Sequence, residues 1–265
     1  MISRATGALL ALALLAGCAR GAGRATTTPG PRGGGLPPVA DAGRTDRDWA
    51  TAQRLYRRGN FAESEKLFTR LGGDLRPGDE RLPYARFQLG ESLFGQGLFL
   101  QSAREFRRVS DDLASHPLAP DALLRVGDAY AELWRKPELD PTYGQTAIGS
   151  YQELLNRFPG TPAAARGQRR LAELQDRLAV KAYRAARFYL RFKAYDSAIL
   201  YLKDVVATYP RSSVAPTALV DLVLAYQKLG YKEDIAETCG YMRRFHAAAP
   251  RVQEVCAGVV DQPVR

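Results

Sequence analysis

Apolar residues recur along much of this chain in steps of three and four, and glycine and proline punctuate them. The pattern is clearest from Asp121 to Pro159. In Ala122-Leu123-Leu124-Arg125-Val126-Gly127-Asp128-Ala129-Tyr130 a glycine stands three before an aromatic, which suits two helices meeting closely at that glycine. Further on, Ala147 stands four before Tyr151, and the segment closes on Phe158-Pro159. The spacing predicts a helical hairpin of about 34 residues. One such hairpin cannot bury its apolar face alone, so copies must stack.

Copies flank it. In the first, Asp46 or Asp48 is expected to cap a helix carrying Trp49, Ala52, Leu55 and Tyr56. Gly59-Asn60 turns the chain, Ser64 is the small residue between the helices, and Phe68 and Leu71 follow. Gly72-Gly73 and Pro77-Gly78 are expected to break the second helix. The second copy starts near Pro83 and carries Gly90, Phe94, Gly97, Phe99, Ala103 and Phe106. A loop from Ser110 to Pro120 follows, in which Asp111-Asp112 read as helix-capping carboxylates rather than a metal or acid–base pair. The third copy holds an insertion. Gly127 and Ala147 lie 20 residues apart, against about 12 in the repeat. The extra piece, Arg135 to Gly144, contains Pro137 and Pro141 and reads as a loop.

Leu171, Leu174, Leu178, Ala182, Ala185 and Tyr189 then predict one uninterrupted helix from Ala163 to Phe192, roughly 45 Å long at 1.5 Å per residue. It joins the third unit to the fourth. A basic stripe (Arg166, Arg170, Arg177, Lys181, Arg184 and Arg191) runs beside its apolar face, either as a solvated surface or as a docking face for an acidic partner. The fourth unit carries Ala186, Tyr195, Ala198, Leu202 and Tyr209-Pro210; the fifth carries Leu222, Tyr226, Gly230, Ile235, Ala236 and Cys239. The expected fold is therefore all-α: a solenoid of about five hairpins resembling tetratricopeptide (TPR) repeats, over residues 46–248. Residues 249–265 would form a capping tail.

The N-terminal segment changes the picture. Arg4 and the apolar run Ala5–Ala16 form an export signal too short to span a bilayer. It ends in Leu15-Ala16-Gly17-Cys18, which resembles a bacterial lipobox. The resemblance implies cleavage of residues 1–17 and acylation of Cys18 with a diacylglycerol and an N-acyl chain, enough for stable anchoring. Ala19 after the cysteine implies the outer membrane. Residues 18–45, rich in Gly, Pro, Thr and Arg, read as a flexible tether.

Composition adds less. The net charge of +10 is concentrated. Residues 1–44 hold five Arg against one Asp, and residues 166–193 hold nine Arg or Lys against Glu173 and Asp176. A nucleic-acid partner is therefore not implied. His116 and His246 stand far apart, and no zinc spacing, phosphate loop or nucleophile elbow is present, so the chain reads as non-enzymatic, with no metal and no cofactor beyond the lipid on Cys18. In an oxidising periplasm Cys239 and Cys256 are either separate buried thiols or joined, the second arrangement requiring a short helix over Val252–Val259 to fold back.

The lipobox, tether, five units and long helix together are similar to the BamD-like lipoproteins of the outer-membrane β-barrel assembly machinery. The local likeness is strongest from Asp140-Pro141 to Tyr209-Pro210. It includes Phe158-Pro159-Gly160-Thr161, Leu174-Gln175-Asp176-Arg177-Leu178-Ala179 and Ala186-Arg187-Phe188-Tyr189. The resemblance implies a scaffold at the periplasmic face of the outer membrane. Its N-terminal units would receive unfolded β-barrel substrates. Tyr56, Phe94 and Tyr130 stand at repeat positions whose default reading is core packing, with a substrate groove as the alternative. Its C-terminal units would dock a POTRA-containing barrel subunit, with Arg177, Lys181, Arg184, Tyr201 and Lys203 on the partner face. Tyr201 stands where some relatives carry an arginine that reaches the POTRA domain. Phe87-Gln88-Leu89-Gly90-Glu91-Ser92 and Ala119–Gly127 are also similar to a periplasmic TPR adaptor of the Tol–Pal system, which typically has a coiled coil and no lipobox.

Overall fold

The computed structural model describes residues 42–136 and 139–260. The export signal, Cys18, most of the tether, and Pro137 and Glu138 of the insertion lie outside the described residues. Among those described, the regular structure is entirely helical. The helices are α1 (Ala42–Arg57), α2 (Phe61–Asp74), α3 (Leu82–Gly95), α4 (Phe99–Asp112), α5 (Ala119–Leu133), α6 (Thr142–Arg157), α7 (Pro162–Arg191), α8 (Tyr195–Thr208), α9 (Ala215–Leu229), α10 (Lys232–Phe245) and α11 (Val252–Val255). Successive helices pack on one another from α1 to α10, as in a TPR solenoid.

The hairpin turns share one device. Gly59, Gly97 and Gly230 hold φ between 75° and 78°, a region in which an L side chain is strained. After Gly59 and Gly97 the chain closes with paired bonds: Gly59 N to Tyr56 O (2.9 Å) with Asn60 N to Leu55 O (2.9 Å), and Gly97 N to Phe94 O (2.9 Å) with Leu98 N to Leu93 O (3.0 Å). These satisfy carbonyls the helix end would orphan. The fourth unit makes the same turn with Lys193 at φ 58°.

The helix contacts also repeat. Ser64 donates to the Ala52 carbonyl (3.1 Å) and Ser102 to the Gly90 carbonyl (2.9 Å), each 12 residues back. Ala147 and Ala198 hold the matching places in the third and fourth units, fully buried. Phe68, Phe106, Tyr151 and Leu202 follow four residues after these, each fully buried. Burying such a side chain stabilises by about 1.5–3 kcal/mol. Gly90 lies under the Phe106 ring, where a Cβ would sit 2.8 Å from the nearest ring carbon. Gly127 lies still closer under the Tyr151 ring.

Five expectations need correction. The first helix starts at Ala42 rather than near Asp46, because Thr45 is buried and Arg44 pairs with Asp74. Asp46 and Asp48 therefore lie inside α1 and pair with Arg81 and Arg70 instead of capping. Gly72-Gly73 do not break α2, which continues to Asp74 while Leu71 and Leu75 remain buried. Asp111 and Asp112 end α4 rather than cap a helix, and they pair with Arg157 and Arg86. The insertion is shorter than Arg135–Gly144, since α6 begins at Thr142 and Gly144 is packed against the buried Trp134 ring.

Helix α7 spans 30 residues, opened by Thr161, whose Oγ1 accepts from Ala164 N at 3.2 Å, and by Pro162 in the first turn. Its N-terminal part, through Leu178, contributes Leu171, Leu174 and Leu178 to the core of the second and third units. Its second half contributes Ala186 to the core of the fourth and fifth. At the end of the repeats α11 packs with Leu219, Val220, Val223 and Met242. It is a single turn, shorter than the expected Val252–Val259 helix. Cys239 and Cys256 are joined there, with Cα atoms 5.6 Å apart. Arg243 Nη2 donates to the carbonyls of Cys256 and Val259, both at 2.8 Å, and closes the turn.

Candidate functional site

The first helices of the second, third and fourth units (α3, α5 and α7) line a cleft of about 470 Å³. Phe94 stands at the end of α3, and α5 supplies Arg125, Asp128 and Glu132. Arg135 enters from the insertion, and α7 brings Arg170, Glu173 and Arg177. The tight approach at Gly127 sets the α5–α6 spacing and so aims Tyr151 at this wall.

One charged network ties the wall together. Arg125 donates from Nε to Glu91 Oε1 (2.6 Å) and from Nη2 to Glu91 Oε2 (2.9 Å). Its Nη1 donates to Asp128 Oδ2 at 3.1 Å, and its guanidinium lies 3.9 Å over the Phe94 ring centre. Such two-pronged, stacked arginine contacts fix orientation as well as charge. Burial works against the Arg125 cation, but Glu91 and then Asp128 more than offset it, so its pKa is raised. Tyr56 donates to Glu91 at 3.4 Å, and burial followed by the Glu91 charge raises its phenol. Tyr151 donates to Asp128 at 2.7 Å, and burial followed by that carboxylate pushes its phenol well above the ordinary range. The wall thus presents charged and aromatic surface together.

The residues singled out from sequence do not form one site. Phe94 lines the cleft, and Tyr56 reaches its network through Glu91. Tyr130 instead stacks on Tyr143, ring centres 6.4 Å apart. The basic stripe divides: Arg177 faces the cleft, Lys181 donates to the Leu139 carbonyl at 2.7 Å and so holds the insertion, and Arg184 is exposed. Tyr201 stacks on Tyr189 at 5.2 Å, while Lys203 is exposed. Sequence reasoning missed Glu91, Arg125 and Asp128. A signal was present: an acid directly follows the close-contact glycine in two units, Gly90-Glu91 and Gly127-Asp128. Among the described residues no three or more His, Cys, Asp or Glu are placed to hold a metal.

The fold and this wall define a helical-repeat protein with a polar, aromatic cleft. Residues 48–241 match the family model YfiO, outer membrane lipoprotein, and the chain belongs to that family. Two relatives carry the name outer membrane protein assembly factor BamD. That of Vibrio cholerae serotype O1 is 36% identical over 99 residues, 37% of this chain and 41% of the relative. That of Neisseria meningitidis serogroup A is 32% identical over 99 residues, 37% of each. The chain thus matches about two fifths of the length of these curated relatives. Among solved structures, the TPR2AB domain of yeast Sti1 aligns over 81% of this chain and 82% of its own at TM-score 0.42 and 11% identity.

Proposed function

We propose that this protein is a non-catalytic scaffold for the assembly of β-barrel proteins in the outer membrane. The family match over residues 48–241 carries this reading. Acyl chains on Cys18 hold the chain at the periplasmic face of the outer membrane. The cleft beside Arg125 receives extended segments of unfolded barrel proteins, with Phe94 offering an apolar face and Arg177 a charge at the rim. The C-terminal units dock a POTRA-containing barrel subunit. The scaffold does its work by holding two partners near each other, so effective concentration is its contribution.

The test is a pull-down from detergent-solubilised envelope with the lipidated protein as bait. Recovery of a POTRA-containing barrel protein is expected. Recovery of Tol–Pal components without it would assign the chain to the other envelope process. Replacing Cys18 by Ser removes the thioether and is expected to release the protein from washed membranes. Continued sedimentation with outer membrane after a high-salt wash would mean that protein contacts hold it there.

A further inference from the structure

Residues 177–195 carry six cations and no carboxylate. Lys181 is occupied by the Leu139 carbonyl and Arg177 by the cleft. What remains is the end of α7, where Arg187, Phe188 and Arg191 with the C-cap Phe192 fall on one face at i, i+4 spacing and Lys193 follows in the turn. All five are exposed. Phe188 and Phe192 are 50% and 67% exposed, and their rings touch, with centres 4.8 Å apart. Two phenyl rings left in water forgo most of the stabilisation that burial would give. Arg187, Arg191 and Lys193 have no ion-pair partner among the described residues. None of the five lines the cleft beside Arg125 or the smaller hollow beside Arg243.

We propose that this face rests on an anionic phospholipid surface, with Phe188 and Phe192 entering the headgroup layer and Arg187, Arg191 and Lys193 pairing with lipid phosphates. The charge is of one sign, which complements an anionic leaflet, and the aromatic side chains sit where interfacial anchors sit. A protein partner holds an aromatic anchor by enclosing it in a shaped pocket. Two rings standing together at a helix end, ringed by cations, suit a surface that yields around them. The idea rests on the membrane anchoring proposed for Cys18. Fully extended, residues 18–41 reach at most about 80 Å, so the lipid surface stays within range. The stable acyl anchor and this weaker face then act together and fix which side of the solenoid looks away from the membrane.

The test uses the mature chain from residue 18 with Cys18→Ser, so that neither acyl chains nor the apolar export signal contributes, in flotation with vesicles. One set is phosphatidylethanolamine alone; the other contains phosphatidylglycerol as well. Binding is expected only to the second set and is expected to weaken with added salt. Arg187→Gln with Arg191→Gln is expected to weaken it about thirty-fold, from about 1 kcal/mol per lost cation. Phe188→Ser with Phe192→Ser is expected to abolish most of it. Unchanged helicity and melting temperature for both double variants show that folding is intact. No flotation of the parent protein, equal flotation with both lipid sets, or equal flotation of parent and variants overturns the proposal. Recovery of the POTRA-containing protein by both variants, alongside lost flotation, separates this face from the assembly reading. If the variants lose that protein while the parent fails to float, the face docks protein and the lipid proposal falls.

Discussion

Two single residues carry more of the fold than their size suggests. Gly127 is buried under Tyr151, and any Cβ there would enter the ring. Tyr151 cannot swing away cheaply, because its hydroxyl is bonded to Asp128 within the cleft wall. Gly127→Leu is expected to cost 1–3 kcal/mol or more, read as a fall in melting temperature; an unchanged melt would refute the close α5–α6 contact. Lys193 shows the opposite case. It sits at φ 58° in a turn that three other units make with glycine, a conformation costing an L residue roughly 1–2 kcal/mol. Lys193→Gly is expected to stabilise by about 0.5–1 kcal/mol after the added unfolded-state freedom of glycine is subtracted. Thermal melting checks this, and a lower melting temperature would contradict it. Strain kept at an exposed cation beside Phe192 fits a residue retained for contact rather than stability.

Between elements, ion pairs set how neighbouring hairpins lock. Across α4 and α6, Glu153 accepts from Arg107 at 2.7 Å and from Arg157 at 2.6 Å, and Arg157 also donates to Asp111 and to the Ser110 carbonyl. Burial alone would raise the Glu153 pKa, but the two arginines win and hold it below the usual carboxylate range. A depressed folded pKa means that the stabilisation is full above the unfolded value, near 4.3, and is lost as pH falls through the folded one. Glu153→Gln is therefore expected to lower stability at neutral pH and to flatten the acid limb of a stability–pH profile below about pH 4.5. Parallel profiles for the two proteins would remove Glu153 from that role. At this scale the sequence was a good guide where one helix suffices. The apolar periodicity of α7 put its ends within one residue of those found. It failed where neighbours decide. The first turn of α1 has no apolar period and is held by the Arg44–Asp74 pair. Gly72-Gly73 are carried through because Leu71 and Leu75 are buried on either side. For the Glu91–Arg125–Asp128 network the sequence offered only the paired Gly90-Glu91 and Gly127-Asp128, because the bonds join α3 and α5 across a contact that only stacking creates.

A stacked-repeat molecule is stable roughly as a sum of units and their interfaces, so its ends are its weak points. Among the described residues, the tail covers Leu219, Val220 and Val223 of the fifth unit. Val252, Val255 and Cys256 supply the cover, Gln227 donates to the Val255 carbonyl at 3.0 Å, and Arg243 holds the turn beyond it. A single helical turn cannot hold itself together. The Cys239–Cys256 link, spanning 17 residues, is what makes the cover persistent. In the chain-entropy account a loop of that size stabilises by about 3 kcal/mol. Because repeats communicate only through neighbours, the loss should stay local. Cys239→Ser is expected to speed hydrogen exchange in α9 and α10 and to leave α1–α4 unchanged. Protein purified from the periplasm and unfolded without reductant should leave neither Cys239 nor Cys256 open to alkylation, and reductant should open both. Two alkylated cysteines before reduction would show that the link is absent in the cell, and the tail would then have to hold through Arg243 and the apolar contacts alone.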